Sequence, residues 1–326
     1  EGSHVTLLDL VSGEPFGYPG TSENGNVSFQ VELPPAGSAL YVVTSKKPKD
    51  LNPFRSPTKG KAVESNGEVK AVRESENILM INYLDLHSSK SNKKEVYFMD
   101  GITSLFKENG IEMGNPWQHK IQYKQKYLEL DSLFDSESGF EASYHFDIHK
   151  SLDGNARKSM LLVVERPELW QVFINGRELK QQEGRYWIDI DFPVFPIGEH
   201  VKEGPNTVTL EAPRMHILAV VMPIYILGDF LVQPGSKGFE IGGGEISELG
   251  SWRKAGLPFY SQKVAYYQDF NVRKTENTRY KVCLNNWEGS VSEVWVNGEQ
   301  AGVIAWQPHE LDVTSWLTEG ENEVVV

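Results

Sequence analysis

Cysteine is almost absent from this chain, since Cys283 is the only one among 326 residues. An internal disulfide is therefore excluded, and packing and hydrogen bonds must hold the fold together. Residues 280–284 alternate as a strand does, so we expect Cys283 to be a small buried side chain. A nucleophile would need a partner base, and the neighbouring sequence offers none.

Long apolar runs and basic runs are also missing. The longest apolar stretch, 217–227, is interrupted by Pro223 and is shorter than the roughly 20 residues of a membrane-spanning helix. The formal net charge is −13, and no run of Lys and Arg offers a surface for nucleic-acid phosphates. We therefore expect neither nucleic acid nor a membrane as a partner, whereas a neutral sugar is compatible with this charge.

Helical periodicity is scarce as well. One short helix is predicted at 102–109, with Gly110 just past its end. A (β/α)₈ barrel repeats βα units over about 250 residues, so we expect no barrel in this chain. Alternating apolar residues instead predict strands, among them 5–10 and the pair 27–31 with 40–44. The expected fold class is all-β, built of antiparallel β-sandwiches.

Changes in composition divide the chain into four parts. Residues 1–45 are predicted to be the C-terminal part of a β-sandwich, because they are too few to bury a core alone. Residues 46–76, rich in Lys, Pro, Gly and Ser, are predicted to be a linker. Residues 77–234 and 235–326 are predicted as a first and a second, truncated, jelly-roll domain. The glycine-rich stretch 235–244 would connect them as a flexible or tightly turning segment.

The two predicted jelly rolls share an internal repeat. Each has an Asn-Gly pair between alternating apolar residues, at 175–176 and at 297–298, and this pair is typical of a type I′ hairpin turn. Each then has a short strand, through Asp189 or Asp312, and a Glu-Gly-x-Asn turn before a Val-rich strand. The repeat predicts two tandem copies of one antiparallel jelly roll, preceded by the short incomplete β-region.

The second copy resembles a known family. Residues 291–326, VSEVWVNGEQAGVIAWQPHELDVTSWLTEGENEVVV, look like the galactose-binding-like jelly-roll domain of glycoside hydrolase family 2. Residues 225–232 (YILGDFLV) and 248–272 (ELGSWRKAGLPFYSQKVAYYQDFNV) are similar to the C-terminal part of large, family 106, α-L-rhamnosidase-like enzymes. The opening at 7–43 resembles the β-region that follows their catalytic barrel. The resemblance touches most of the chain, and only loosely 46–130.

This resemblance implies a non-catalytic accessory role, because the acid and base of those enzymes lie on the barrel. No catalytic residue is carried over. An upstream catalytic domain of the same polypeptide and a carbohydrate are the implied partners, and the implied location is periplasmic or extracellular. No signal peptide opens the chain, and the last strand stops at Val326 inside the repeat, so we expect truncation at both ends.

Acidic and histidine residues offer the usual ingredients of a hydrolase or a metal site. Glycoside hydrolysis needs two carboxylates about 5–9.5 Å apart, but we expect Asp189 and Asp191, on one strand face, to bind solvent or a turn. His145 and His149 lie on a predicted strand and lack the zinc-protease helix. The acidic run 131–141 lacks EF-hand spacing. No cofactor is therefore expected, with a structural calcium as the alternative.

Aromatic side chains are the best remaining ligand signal, because sugars stack their apolar faces on indole and phenol rings. Trp170, Trp187 and Trp295 alternate along predicted strands, so we expect them in the core. Aromatics in predicted loops are better placed to be exposed, although packing between domains is the alternative. The candidate carbohydrate-binding residues are Trp117, Trp252, Tyr260 and Trp287.

Three functions are compatible with these features. The first is a non-catalytic, sugar-binding-like accessory region of a large glycoside hydrolase that acts on plant or host polysaccharide. The second is a free-standing carbohydrate-binding protein, which would need a groove of exposed aromatics. The third is a structural interdomain module, in which the aromatics would be buried and no ligand would bind.

Overall fold

The structure is a computed structural model that describes residues 4–10, 13–33, 35, 37–54, 60–112, 114–115, 117, 129–236, 238–246 and 249–326. Strands make up 43% of it and helices 9%, so the chain is all-β, as predicted. It divides into two compact units, residues 70–265 and residues 1–69 with 266–326. The finer domain boundaries given above stay predictions.

The N-terminal strands differ in pairing from the prediction. In chain order they are β1 (His4–Leu8), β2 (Pro15–Tyr18), β3 (Thr21–Glu23), β4 (Asn26–Ser28), β5 (Leu40–Thr44), β6 (Asn52–Pro53) and β7 (Ser65–Arg73). One sheet has the order β5-β1-β2-β6, while β4 pairs with β3. The predicted pairing of 27–31 with 40–44 is therefore wrong, and β5 pairs with β1. The cause is a tight turn at Asn24 and Gly25, with φ of 53° and 82°, which folds β4 back onto β3. The stretch predicted as a linker, 46–76, contains β6 and β7.

Residues 70–265 contain most of the secondary structure. Its elements after β7 are β8 (Asn77–Ile81), β9 (Tyr83–Ser88), β10 (Asn92–Tyr97), α1 (Phe98–Glu108), β11 (Phe140–Ile148), α2 (Gly154–Lys158), β12 (Leu161–Val163), β13 (Gln171–Ile174), β14 (Arg177–Glu178), β15 (Val194–Pro196), β16 (Gly204–Ala212), β17 (Ile224–Gly228), β18 (Leu231–Gly235) and β19 (Gly238–Gly242), with 3₁₀ turns at Leu130–Leu133, Ser136–Ser138 and Pro167–Leu169. A large sheet has the order β10-β9-β11-β16-β13-β14 and is extended by β19 and β18. A small sheet has the order β15-β12-β17-β8.

The two sheets of this unit form a sandwich around one apolar core. Alternate residues of β11, among them Tyr144 and Phe146, face Leu79 and Ile226 of the small sheet within the same buried cluster. Fully burying a side chain of this kind contributes about 1.5–3 kcal/mol. The Tyr144 hydroxyl donates to the Met222 carbonyl at 2.6 Å, so its polar atom is satisfied inside the core.

The predicted helix is present as α1 and begins four residues earlier than expected. Ile102, Leu105 and Phe106 recur at spacings of three and one, so they share the face that enters the core. Gly110 lies just past the end with φ of 88°. Its N–H donates to the Lys107 carbonyl at 3.1 Å, which closes the last turn.

Two further segments differ from the predictions. The glycine-rich stretch 235–244 contains β19, which pairs with β18 as a hairpin and runs parallel to β11. Residues 187–192 form a turn and not the predicted strand, because the Asp189 carboxylate accepts the Asp191 N–H at 2.8 Å. Asp side chains compete for backbone donors in this way. The Asp189 side chain thus bonds within a turn, one of the two outcomes expected for this pair.

The C-terminal strands belong to the other unit. They are β20 (Val264–Val272), β21 (Lys281–Cys283), β22 (Ser292–Val296), β23 (Glu299–Ile304), β24 (Glu310–Asp312) and β25 (Gly320–Val325), with the sheet order β23-β22-β25-β20-β7 and a separate pair β21-β24. Val294 and Val324 lie in a buried cluster of this unit. Trp295, expected in the core, is 37% exposed because it alternates with Val294 and Val296.

The single cysteine also departs from expectation. Cys283 lies on β21 but is exposed, because β21 pairs with β24 in a sheet of two strands. Its thiol lies 3.7 Å from the Glu310 carboxylate. Partial burial and this negative charge raise the pKa of the Cys283 thiol, so the thiolate is disfavoured.

The hairpin turns of the internal repeat share one hydrogen-bond arrangement, whereas the predicted strand through Asp189 has a counterpart only in the second copy, at β24. Asn175 donates to the side-chain oxygen of Asn206 at 2.9 Å, and Asn297 donates to that of Asn322 at 2.9 Å. The acceptors are 1% and 2% exposed, and each bonds with both the N–H and the carbonyl of the residue four positions earlier. The turn residues 175–176 and 297–298 have φ of 50°, 80°, 51° and 82°, as a type I′ turn requires.

Candidate functional site

Three of the four aromatics predicted to bind carbohydrate lie in the unit 70–265 and are packed inward. Trp117 is half-buried against the core, and its Nε1 donates to the Ile217 carbonyl at 2.7 Å. Tyr260 is 6% exposed, contrary to expectation, because its hydroxyl donates to the Lys263 carbonyl at 2.9 Å. Trp252 packs edge-on against Tyr260, with ring centroids 5.9 Å apart. All three stabilise their own unit, and their carbohydrate role stays a prediction.

The fourth aromatic, Trp287, lies in the other unit. It is half-buried, and its ring covers Gly289 closely enough that a side chain there would collide with it. Within the described part of the chain its Nε1 is buried without a hydrogen-bond partner. A buried indole N–H without an acceptor lowers the stability of the fold. The carbohydrate contact of Trp287 stays a prediction.

A better-formed cleft lies on the outer face of the small sheet. Along β8, Leu79 and Ile81 enter the core, so Ile78 and Met80 point outward by strand alternation. Tyr225 on β17 is paired with Met80 in register and shares their face. The small sheet therefore has two apolar faces, and its outer face needs a cover.

The turn after β14 supplies part of that cover. The ring of Trp187 packs against Tyr225 with centroids 4.8 Å apart, and against Phe192 at 6.3 Å. Phe259 closes another side of the cleft. The cleft is open to solvent on one side and has a volume of about 390 Å³, within the range of about 300–1,000 Å³ that small-molecule sites occupy. Polar groups enter at Ser261 and Gln262.

Acidic residues flank one edge of this cleft, because Glu165 lies two positions beyond Val163, the register partner of Tyr225, and Asp189 directly follows Ile188 of the lining. Glu165 follows β12, and the Arg166 N–H donates to the Asp191 carbonyl at 2.9 Å, which ties the covering turn to this edge. Burial raises the pKa of the Glu165 carboxyl, and the charges of Asp191 and Asp189 raise it further against a smaller opposing effect of Arg166. Burial and then Glu165 also raise the pKa of Tyr225.

The cleft lining combines aromatic and neutral polar groups. Aromatic rings offer faces for stacking, and Ser261 and Gln262 offer hydrogen bonds to hydroxyls. Among the described residues that line the cleft there is no Asp or Glu, whereas glycosidic cleavage needs two carboxylates across the sugar.

Sequence reasoning missed this cleft. It placed Trp187 on a predicted strand with its side chain in the protein core. It did not name Tyr225 or Phe259 as candidates. The available signal was the uninterrupted apolar runs at 78–81 and 224–227. Such runs indicate strands that are covered on both faces, and the aromatics near them are candidates for the cover.

The acidic run 131–141 is engaged by protein donors. The Asp131 carboxylate accepts the Ile217 N–H at 2.8 Å and pairs with the Arg214 guanidinium at 2.8 Å. Burial opposes ionisation, but these hydrogen bonds prevail and hold the pKa of Asp131 below its usual value. A carboxylate neutralised by arginine does not fit calcium, which needs several free oxygen ligands. The described residues hold no group of three or more His, Cys, Asp and Glu placed for a metal.

The two histidines of residues 145–149, His145 and His149, contact different partners. His145 lies on β11, as expected of a strand, 3.3 Å from the Asp85 carboxylate and 3.0 Å from the Thr207 hydroxyl. His149 bonds with Ser151 at 2.8 Å.

In the described ranges, no helix is long and apolar enough to span a bilayer.

The relatives found for this chain are glycoside hydrolases. No protein-family model matches it. A curated relative is the "Putative beta-glucuronidase" of Formosa agariphila, which is 28% identical over 116 residues, or 34% of this chain and 10% of that protein. The chain thus spans about a tenth of the length of that relative.

Solved structures of similar proteins are also glycosidases. The α-L-rhamnosidase of Streptomyces avermitilis complexed with L-rhamnose is 15% identical and has a TM-score of 0.25, with 57% of this chain and 21% of that chain covered. The β-D-mannosidase of Dictyoglomus thermophilum is 12% identical with a TM-score of 0.28, covering 76% and 30%. A β-glucuronidase of Ruminococcus gnavus is 12% identical with a TM-score of 0.24, covering 81% and 41%.

Proposed function

We propose that this chain is a non-catalytic, carbohydrate-binding accessory region of a glycoside hydrolase. The cleft on the small sheet carries the proposal. Trp187, Tyr225 and Phe259 present aromatic surface, and Ser261 and Gln262 present neutral polar groups. A lining of this kind suits a sugar ring, which stacks one face and hydrogen-bonds around its edge.

The setting of the cleft follows from the resemblance to families 2 and 106. In this proposal the chain belongs to the C-terminal, jelly-roll part of a longer enzyme, and its partners are a carbohydrate and the catalytic domain upstream in the same polypeptide. The location is periplasmic or extracellular. The glycosidase relatives and the repeated jelly-roll pattern support this assignment.

A glycan array that covers plant and host polysaccharides tests the proposal. The wild-type chain is expected to bind a defined set of glycans, and Tyr225→Ala is expected to abolish that binding because it removes one wall of the cleft. Trp306→Ala is the matched control, since this aromatic is 62% exposed and lies in the other unit. Circular dichroism spectra of both variants serve as the control that each is folded.

Three results would contradict the proposal in different ways. A silent array would favour the structural-module function. If Trp306→Ala lost glycan binding while Tyr225→Ala kept it, the cleft would not be the binding site. Cleavage of an aryl glycoside by the isolated chain at enzyme-like rates, lost in Glu165→Gln, would make the region catalytic.

A further inference from the structure

The edge of the cleft carries an excess of acidic side chains. Glu165 lies two positions beyond Val163, the register partner of Tyr225, and Asp189 directly follows Ile188 of the cleft lining. The charges of Asp191 and Asp189 also raise the pKa of the Glu165 carboxyl, after the larger effect of burial. The bond from the Arg166 N–H to the Asp191 carbonyl keeps the two acidic segments together. When ionised, these carboxylates contribute negative potential beside Tyr225 and Ile188 of the cleft lining.

Arg166 and Arg185 each form an ion pair with a carboxylate other than Glu165, Asp189 and Asp191. The Arg166 Nε lies 3.1 Å from Glu168, and an Arg185 guanidinium nitrogen lies 2.9 Å from Glu76. Arg166 also acts on Glu165, but its effect is smaller than that of Asp191. Neither of these two ion pairs involves Glu165, Asp189 or Asp191.

The aromatic walls favour the same sign of ligand charge. A cation over the face of an aromatic ring is attracted by about 0.5–1 kcal/mol at exposed sites and by more when it is desolvated. The rings of Trp187 and Tyr225 lie side by side at 4.8 Å, and Phe259 completes the lining. Nearby carboxylates add Coulomb attraction for a cation and repulsion for an anion.

We infer that the cleft selects sugars by charge, in the order ammonium-bearing sugar, neutral sugar, uronate. The ligand class is an amino sugar, whose ammonium group lies toward Glu165 while its ring stacks on the aromatic wall. This inference rests on the proposed carbohydrate binding and adds to it the chemical class of the ligand.

A matched series of methyl glycosides tests the order directly. Each sugar is used in three forms that differ at the sixth carbon, as the 6-amino-6-deoxy glycoside, the parent glycoside and the uronoside. Gluco, galacto and manno forms give nine probes, which are titrated against the intact chain by ligand-observed NMR. The ammonium form is expected to bind about two- to five-fold tighter than the parent, as a cation–π contact predicts, and the uronoside more weakly than the parent. Added salt should compress the differences.

Glu165→Gln separates the charge effect from the shape of the cleft. This nearly isosteric change should reduce the preference for the ammonium form over the parent and strengthen binding of the uronoside. Glu321→Gln is the matched control, because it removes one charge from an exposed position in the other unit. A Glu165→Gln variant that keeps the wild-type order would overturn the role of this carboxylate.

The outcomes distinguish this inference from the proposed function. Equal binding of the three forms, or a preference for the uronoside, overturns selection by charge and leaves carbohydrate binding intact. If none of the nine probes binds and the glycan array is silent, the proposed function fails and the inference fails with it.

Discussion

The side chain of Asn297 donates a 2.9 Å hydrogen bond to the side chain of Asn322, which is 2% exposed. The bond joins the hairpin turn after β22 to the turn before β25. Asn175 and Asn206 make the same bond at the same length in the other unit. The motif thus recurs with its partners in both halves of the internal repeat.

Removing the buried Asn should destabilise its unit. Asn322→Ala deletes the acceptor for Asn297 and leaves the Thr318 N–H and carbonyl without their side-chain partner. Each buried group left unsatisfied costs about 1–3 kcal/mol. We expect a loss of that order in the free energy of unfolding, measured by urea denaturation. Asn271→Ala, at an exposed position of β20, is the control. Equal midpoints for the two variants would contradict a stabilising role for the Asn pair.

The second turn residue of each hairpin should resist a side chain for conformational reasons alone. Gly298 has φ of 82°, and a methyl group there would meet nothing within 4 Å. Gly298→Ala is therefore expected to cost about 1–2 kcal/mol, the penalty of a left-handed backbone for an L-residue. Gly60→Ala, which is equally open and lies outside the left-handed region, should be neutral. Thermal unfolding of both variants checks the difference.

The stability contributed at Glu165 should depend on pH in a defined direction. Burial raises the pKa of Glu165 in the folded state, with Asp191 adding to the shift. From the unfolded value of about 4.3 up to the folded value, the folded chain holds more protons, so its stability falls as the pH rises through that window. Glu165→Gln should be more stable than wild type at neutral pH and lose this advantage in acid. A variant that is less stable at neutral pH would contradict the burial argument.

Asp131 should show the opposite pH dependence. Its carboxylate accepts from Ile217 and Arg214, and these bonds outweigh burial and lower its pKa. The stability it contributes is present above the unfolded value of about 3.9 and is lost as the pH falls through the folded value. Asp131→Asn should therefore lower Tm at neutral pH and have little effect in strong acid, as calorimetry would show.

Calcium is expected to have no effect on the same loop. Arg214 already neutralises Asp131, so excess calcium chloride or EDTA should leave Tm unchanged. If calcium raised Tm and Asp131→Asn abolished the rise, the loop would bind calcium.

Features that depend on neighbours in sequence were predictable. The type I′ turns at 175–176 and 297–298 follow from Asn-Gly, because these two residues tolerate the positive φ that the turn requires. The core face of α1 follows from the spacing of Ile102, Leu105 and Phe106. The all-β class follows from strand alternation and the scarcity of helical patterns.

Features that depend on contacts between distant segments were not predictable. The alternation that predicted a buried Trp295 does not say which face of β22 is covered, and the structure leaves this one exposed. Likewise the segments 27–31 and 40–44 looked like partners, but the turn at Asn24 and Gly25 and the pairing of β5 with β1 decided otherwise.

The sequence by itself determined the class of fold and the duplicated Asn-Gly turns, because these rest on backbone preferences and on the alternation of apolar residues. Tertiary structure alone decided where a ligand could bind. The cleft brings together strands that start at Asn77 and Ile224, the turn that carries Trp187, and Phe259. A sheet with two apolar faces forms only when such distant strands pair, and the rings that cover it acquire their common site from that pairing.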